Sequence, residues 1–258
     1  MKISKAIALL FMGIFLSACG GGSESGPAEA PPVVVPPPPV VKFGGFWFGN
    51  VVIDAATESE ECGALVTEDG QFRFLCVFAD LHLVGMSSRD QDVMTGAGQA
   101  FSSLGFLDGT FVSDLVVDAT LISGNSLVGT WSTASPGDSG SFDMVYDPEY
   151  EKLSSPGLLE GVWQSTDEFG NPNATYLIDD LGSFTAQDSD GCTASGMVLV
   201  LDSRYNLYQA NSTIVGCPIA GDYSGLALVF DDFEANDSIL LSINSDDRAL
   251  LVVIQKTP

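Results

Sequence analysis

The chain has a single histidine, His82, and only nine lysines and arginines against 34 aspartates and glutamates, a net charge of −25. So little positive charge excludes nucleic acid and anionic lipid headgroups as partners of the folded part, since both are held by basic surfaces. There is no Cys-x-x-Cys, and one histidine is too few for the usual zinc-ligand sets, so no metal centre is expected. No apolar run reaches the ~20 residues that a membrane-crossing helix needs. After residue 42 no segment keeps a helical apolar period over ten or more residues. What recurs instead is short β-rich runs punctuated by Gly, Asn, Asp and Ser. Aromatic content of 10% and a mean hydropathy of +0.25 are enough for a packed core, which excludes global disorder.

The N-terminus has the layout of an export signal: Lys2 and Lys5, an apolar stretch from Ala6 to Leu16, then small residues. Leu16-Ser17-Ala18-Cys19 resembles the bacterial lipobox. That resemblance implies removal of residues 1–18, diacylation of the Cys19 thiol and usually a third chain on the new N-terminus. Two or three acyl chains make a stable anchor, where one binds only marginally. Gly20 stands where the enteric-type sorting rule has Asp for inner-membrane retention, so the expected location is the outer membrane. Residues 19–41 run from Gly20-Gly21-Gly22-Ser23 to Pro36-Pro37-Pro38-Pro39. They read as a tether, flexible at first and then a polyproline II rod rising ~3.1 Å per residue.

Cysteine usage agrees with export. With Cys19 assigned to lipid, Cys62, Cys76, Cys192 and Cys217 are an even set suited to two disulfides. Hairpin geometry selects the pairing. Thr67-Glu68-Asp69-Gly70-Gln71 reads as a three-residue hairpin loop with Gly70 in the left-handed conformation. It sets Thr67 opposite Gln71, so facing residue numbers add to 138, as do those of Cys62 and Cys76. A four-residue loop Ser203-Arg204-Tyr205-Asn206 sets Asp202 opposite Leu207, adding to 409, as do Cys192 and Cys217. Directly opposed residues lie within disulfide reach.

The expected fold is all-β: two tandem antiparallel up-and-down meanders closing into small eight-stranded barrels of lipocalin-like architecture. The N-terminal β domain is placed at 42–147, a polar linker with a short helical turn at 148–156, and the C-terminal β domain at 157–258. Strands of the second domain are read near 161–166, 174–180, 182–188, 192–202, 207–217, 221–231, 238–244 and 249–256. Gly45-Phe46-Trp47 and Gly161-Val162-Trp163 resemble the Gly-x-Trp of lipocalins, which implies that Arg248 covers Trp163. Met197-Val198-Leu199-Val200-Leu201 and Ala249-Leu250-Leu251-Val252-Val253-Ile254 are apolar on both faces, so the outer wall there is expected to be covered. Residues 157–258 also resemble a domain recurring in proteobacterial lipoproteins without assigned function. Leu159-Glu160-Gly161-Val162-Trp163, Asp188-Ser189-Asp190-Gly191-Cys192 and Gly221-Asp222-Tyr223-Ser224-Gly225 carry this resemblance.

Reactive constellations are scarce. Gly137-Asp138-Ser139-Gly140 resembles the nucleophile segment of chymotrypsin-type proteases, with His82 upstream. Yet the two lie in one half of the chain, and Ser141 stands where that family has glycine, so a Pro-Gly turn is the better reading. Asp188 and Asp190, the run from Asp231 to Asp237, and Asn244 with Asp246 and Asp247 could offer oxygens to calcium. None has the EF-hand spacing. The expectation is therefore a lipid-anchored, non-enzymatic binding or interaction module of the envelope, without catalytic residues or cofactor. Its partner would be an envelope or extracellular protein or a small ligand; a structural role is the alternative, and a hydrolase comes third.

Overall fold

The computed structural model describes residues 42–54, 59–76, 80–166, 172–231 and 234–257. The export signal, Cys19 and the tether lie outside the described residues. The first barrel comprises β1 (Gly45–Ile53), β2 (Ser59–Val66), β3 (Gln71–Cys76), β4 (Leu81–Asp90), β5 (Val93–Ser102), β6 (Val112–Ile122), β7 (Ser126–Thr133) and β8 (Ser139–Asp147). The second comprises β9 (Gly161–Thr166), β10 (Pro172–Ile178), β11 (Ser183–Asp188), β12 (Thr193–Val200), β13 (Tyr208–Val215), β14 (Gly221–Phe230), β15 (Ser238–Asn244) and β16 (Ala249–Lys256). Each set is a closed antiparallel barrel in which every strand pairs with its neighbours in sequence and the last returns to the first.

Strand alternation decides which side chains enter each barrel. On β6, Leu115, Val117, Ala119 and Leu121 are buried inward, while Asp114, Val116, Asp118, Thr120 and Ile122 face outward. The packed apolar interior differs from the polar, water-filled lumen of a membrane-spanning pore.

The hairpin between β2 and β3 follows from Gly70, which takes φ +93. A Cβ there would lie 2.2 Å from the Ser87 carbonyl oxygen, so only glycine fits. Thr67 N–H donates to the Gln71 carbonyl at 2.8 Å, and the resulting register runs Val66↔Phe72 and Gly63↔Leu75. Cys62 and Cys76 form a disulfide with Cα atoms 4.5 Å apart. The second register differs from expectation. The connection between β12 and β13 is longer than a four-residue loop, and pairing runs Val200↔Tyr208 to Thr193↔Val215, one residue out of step with the expected register. Cys192 would then face Gly216. Gly216 takes φ +84, interrupting the alternation, and Cys217 is joined to Cys192 with Cα atoms 5.2 Å apart.

The barrels pack side by side. The outer face of the first presents Leu65, Arg73 and Leu75 from β2 and β3; the outer face of the second presents Leu226, Leu228 and Ser242 from β14 and β15. Leu65, Tyr150, Tyr205, Leu207, Leu226 and Leu228 form a shared apolar cluster. Each fully buried leucine there contributes on the order of 1.5–3 kcal/mol. Arg73 is buried, and among the described residues it forms no ion pair with a carboxylate. Its guanidinium donates to Asn244 Oδ1 at 2.8 Å and to the Ser224 carbonyl at 3.2 Å, and burial pushes its pKa down to about 10. The covered wall of the second barrel is thus β14 and β15. The β12 residues Met197 and Leu199, expected to be covered, are 41% exposed.

The linker takes part in this packing. A 3₁₀ turn, Pro148–Glu151, starts at Asp147, whose carboxylate accepts from Glu149 N–H at 2.9 Å. The turn presents Tyr150 to stack on Tyr205, with ring centroids 4.8 Å apart. Buried Asn206 closes the junction: its N–H donates to the Tyr150 carbonyl at 3.0 Å, and its side-chain amide bonds the Glu149 carbonyl, the Val229 carbonyl and the Val229 N–H. Asn206→Ala keeps the backbone bond to Tyr150 but removes the side-chain bonds to the Glu149 and Val229 backbone groups, and should cost about 2 kcal/mol in urea unfolding. Gln209→Ala, on the exposed face of β13, should be near neutral in the same measurement.

Candidate functional site

The two interiors differ. In the first barrel Trp47, Phe72, Phe74, Trp131, Phe142 and Met144 converge and are almost completely buried. Phe72 lies over Gly85 and Gly96, where an added Cβ would come within 2.7 Å of its ring. Aromatic side chains meeting small ones fill this interior.

In the second barrel one end is closed. Trp163 is fully buried, and its indole Nε1 donates to the Leu159 carbonyl at 2.7 Å, bonding it to the short helix α1 (Pro156–Leu159). Lys256 Nζ lies 5.1 Å from the Trp163 ring. That is the place the lipocalin resemblance gave to Arg248. Because β16 runs antiparallel to β9, with Lys256 opposite Trp163, Arg248 is at the other end, where it donates to the Pro218 carbonyl at 3.2 Å.

Above Trp163 the barrel holds a cavity of about 400 Å³. Inward positions of β12 and β13 carry Ala194, Val198, Ala210 and Ser212, too small to meet the opposite wall of Ile239, Leu241 and Ile254. Polar groups on the interior include Ser212, Ser165, whose hydroxyl accepts from Ala174 N–H at 3.2 Å, and Tyr176, and Asn173, Asp188 and Thr193 line it at the strand ends away from Trp163. Burial, with Asp188 adding to it, pushes the Tyr176 hydroxyl up, so it stays neutral. An apolar cavity of this size with a few polar groups is the usual form of a small-molecule site.

The cavity also reaches the barrel's seam. Among the described residues, strands β9 and β16 pair at Trp163↔Lys256 and Gln164↔Gln255, Thr257 N–H donates to the Val162 carbonyl at 2.9 Å, and the cavity lining continues past the interior to Thr166, Val253 and Gln255. In the first barrel the equivalent seam is paired along the strands, from Phe46↔Asp147 to Ile53↔Gly140.

The remaining sequence candidates fall into place as structural groups. Ser139 opens β8 and donates to Asp54 Oδ2 at 2.6 Å. His82 is on β4, four strands away in either direction around the barrel, so the two form no catalytic pair. The acidic clusters hold their own turns. Asp188 accepts from Asp190 and Cys192 N–H, Asp231 accepts from Asn236 N–H and pairs with Lys152, and Asp247 pairs with Arg248. Asn244 receives Arg73, and Asp232 lies outside the described residues. Among the described residues no group of three His, Cys, Asp or Glu side chains could hold a metal ion.

His82, the second residue of β4, is on its outer face, only 6% exposed, and lines a crevice of about 590 Å³ between the barrels. Asp80, Ser103, Phe101 and Phe111 line the crevice from the first barrel, and Ile219, Asp247, Arg248 and Leu250 from the second. Among the described residues the His82 Nδ1 has no hydrogen-bond partner. Sequence reasoning missed this crevice, because residues from opposite ends of the chain build it. It also missed the cavity, whose one signal was the run of small residues at alternate positions of β12 and β13.

No protein-family model and no curated protein matches the sequence. One solved structure that it resembles is described as an outer membrane protein of Bacteroides fragilis. The two are 12% identical, the match covers 83% of this chain and 97% of the other, and the TM-score is 0.30. A likeness of that extent assigns no activity.

Burial holds the His82 pKa below its ordinary 6.5, and Arg73 lowers it further, against the opposing pull of Asp80; Asp247 and Arg248 face the same crevice from the second barrel. An unfolded His82 therefore takes up a proton before the folded one does. Stability should be level above neutral pH and should fall as pH drops below 6.5, until the folded-state pKa is passed. Urea unfolding between about pH 5 and 7.5 should show this slope. His82→Leu should flatten it without loss of stability at pH 7.5.

Proposed function

We propose that this protein is a lipid-anchored, non-enzymatic binding module of the bacterial envelope, and that its C-terminal barrel is the binding element. The first barrel serves as its rigid support. One observation carries this reading: two barrels of the same strand order differ in that the first is filled with aromatic side chains and the second holds a mainly apolar cavity of about 400 Å³ that reaches a seam incompletely paired among the described residues. Natural cores are packed to crystal-like density, so a void of that size is costly unless something occupies it. Among the described residues the lining has neither a nucleophile paired with a base nor a pair of carboxylates facing one another, which favours binding over catalysis. Lipobox-type attachment at Cys19 would hold the module at the membrane on the Gly/Pro-rich tether.

Residues 42–258 should bind an uncharged apolar fluorophore such as N-phenyl-1-naphthylamine, with blue-shifted, saturable emission at one site. Ser212→Phe places a ring inside the cavity and should weaken that binding at least tenfold while leaving the circular dichroism spectrum unchanged. Equal binding by the wild type and Ser212→Phe would remove the cavity from the account.

A further inference from the structure

The cavity and the crevice are adjacent. Ile219, on the turn between β13 and β14, and Leu250, near the start of β16, line both of them. Two aliphatic side chains are thus the common wall between an apolar chamber inside the second barrel and a more polar space between the barrels. Such side chains change rotamer readily and leave no stranded polar group when they move.

The two spaces differ in chemistry. The chamber is aliphatic along Val198, Ile239, Leu241, Ile243 and Ile254, matching an alkyl chain, and polar at the strand ends that carry Asn173, Asp188 and Thr193. The crevice has two carboxylates, Asp80 and Asp247, against one guanidinium, Arg248, which Asp247 already holds at 3.2 Å. Asp80 accepts from Ser103 N–H at 2.7 Å, which positions its carboxylate. Phe101 and Phe111 add aromatic rings, whose faces attract cations. The His82 imidazole, more than nine-tenths buried at this crevice, has an Nδ1 without a partner among the described residues. A buried polar atom left unpaired costs about 1–3 kcal/mol, and a ligand N–H is one way to satisfy it. The surplus of carboxylate, in a chain of net charge −25, disfavours an anionic group here.

We propose that the cavity and the crevice form one continuous site for a single-chain amphiphile with an amine head. The alkyl chain lies in the C-terminal barrel and passes Ile219 and Leu250, and the head rests in the crevice near Asp80, Asp247 and His82. This rests on the reading of the C-terminal barrel as the binding element and adds the ligand's class and orientation. It also gives the first barrel a part in recognition, since Asp80, His82 and the two phenylalanines belong to it.

The test uses residues 19–258 carrying Cys19→Ser, which takes no lipid and needs no detergent. Dodecylamine, dodecanol and dodecanoate, each below its critical micelle concentration, compete with bound N-phenyl-1-naphthylamine. Dodecylamine should displace the probe at least tenfold more strongly than dodecanol, and dodecanoate most weakly. Asp80→Asn with Asp247→Asn should bring dodecylamine to the level of dodecanol and leave dodecanol unchanged. Ile219→Trp should weaken all three chains relative to the small probe. If dodecanol and dodecanoate match dodecylamine, or the double variant keeps the preference, the composite site is wrong while the cavity reading stands. If no chain competes and the probe itself does not bind, the cavity reading falls as well.

Discussion

A β-sheet rolled into a barrel has to satisfy its two outer strand edges against each other, and how completely it does so sets what the interior can become. In the first barrel β1 and β8 pair from Phe46↔Asp147 to Ile53↔Gly140, and the closed wall encloses Trp47, Phe72, Phe74 and Trp131 at high density. In the second, β9 is six residues long, and among the described residues it meets β16 at Trp163↔Lys256 and Gln164↔Gln255, with Thr257 N–H bonded to the Val162 carbonyl. The register of β9 against β10 also shifts between Pro172 and Ala174, where proline has no N–H for the ladder. Pairing therefore stops partway along the wall. Trp163 and Leu159 close one end, and small inward residues leave the middle open.

Joining the barrels turns two modest cores into one frame. The joint is mixed: leucines and stacked tyrosines at one place, the buried Arg73 guanidinium on neutral acceptors at another, and Asn206 bonding the linker and β14 together. A buried arginine without a carboxylate has little direct stabilising value, because desolvation offsets the bonds it forms. Its geometry is specific nonetheless: Asn244 and Ser224 accept it in only one docking of the two sheets. A fixed docking is also what gives the crevice its shape, since His82 and Arg248 come from different barrels.

Much of this fold was legible because strand alternation and turn chemistry are local. The Thr67–Gln71 hairpin illustrates this: one glycine at φ +93 determines a register, and the register brings Cys62 opposite Cys76. Reading the loop after β12 as four residues put the Cys192 hairpin out of step by one. Gly216, which turns the chain into the left-handed region, reconciles the true register with the bond to Cys217. Side-chain volumes across a barrel are not local. Whether Ala210 and Ser212 leave a void depends on Ile239 and Ile254, strands away, so the cavity was hidden in the sequence. The same holds for the wall that becomes covered. The doubly apolar β12 suggested a buried face, yet β14 and β15, with Ser224 and Ser242 among their outward residues, form the contact. Likewise Arg248 and Lys256 are equally plausible partners for Trp163 until the direction of β16 is known, and it places Lys256 there.

The account depends on the second barrel being a container rather than a loosely packed core, and native mass spectrometry of protein taken gently from its own membranes addresses that directly. The prediction is a population carrying one non-covalent adduct with the mass of a single-chain amphiphile, released at higher collision energy and missing from Ser212→Phe. Protein that is uniformly empty, or an adduct that persists when the cavity is filled by Ser212→Phe, would contradict it.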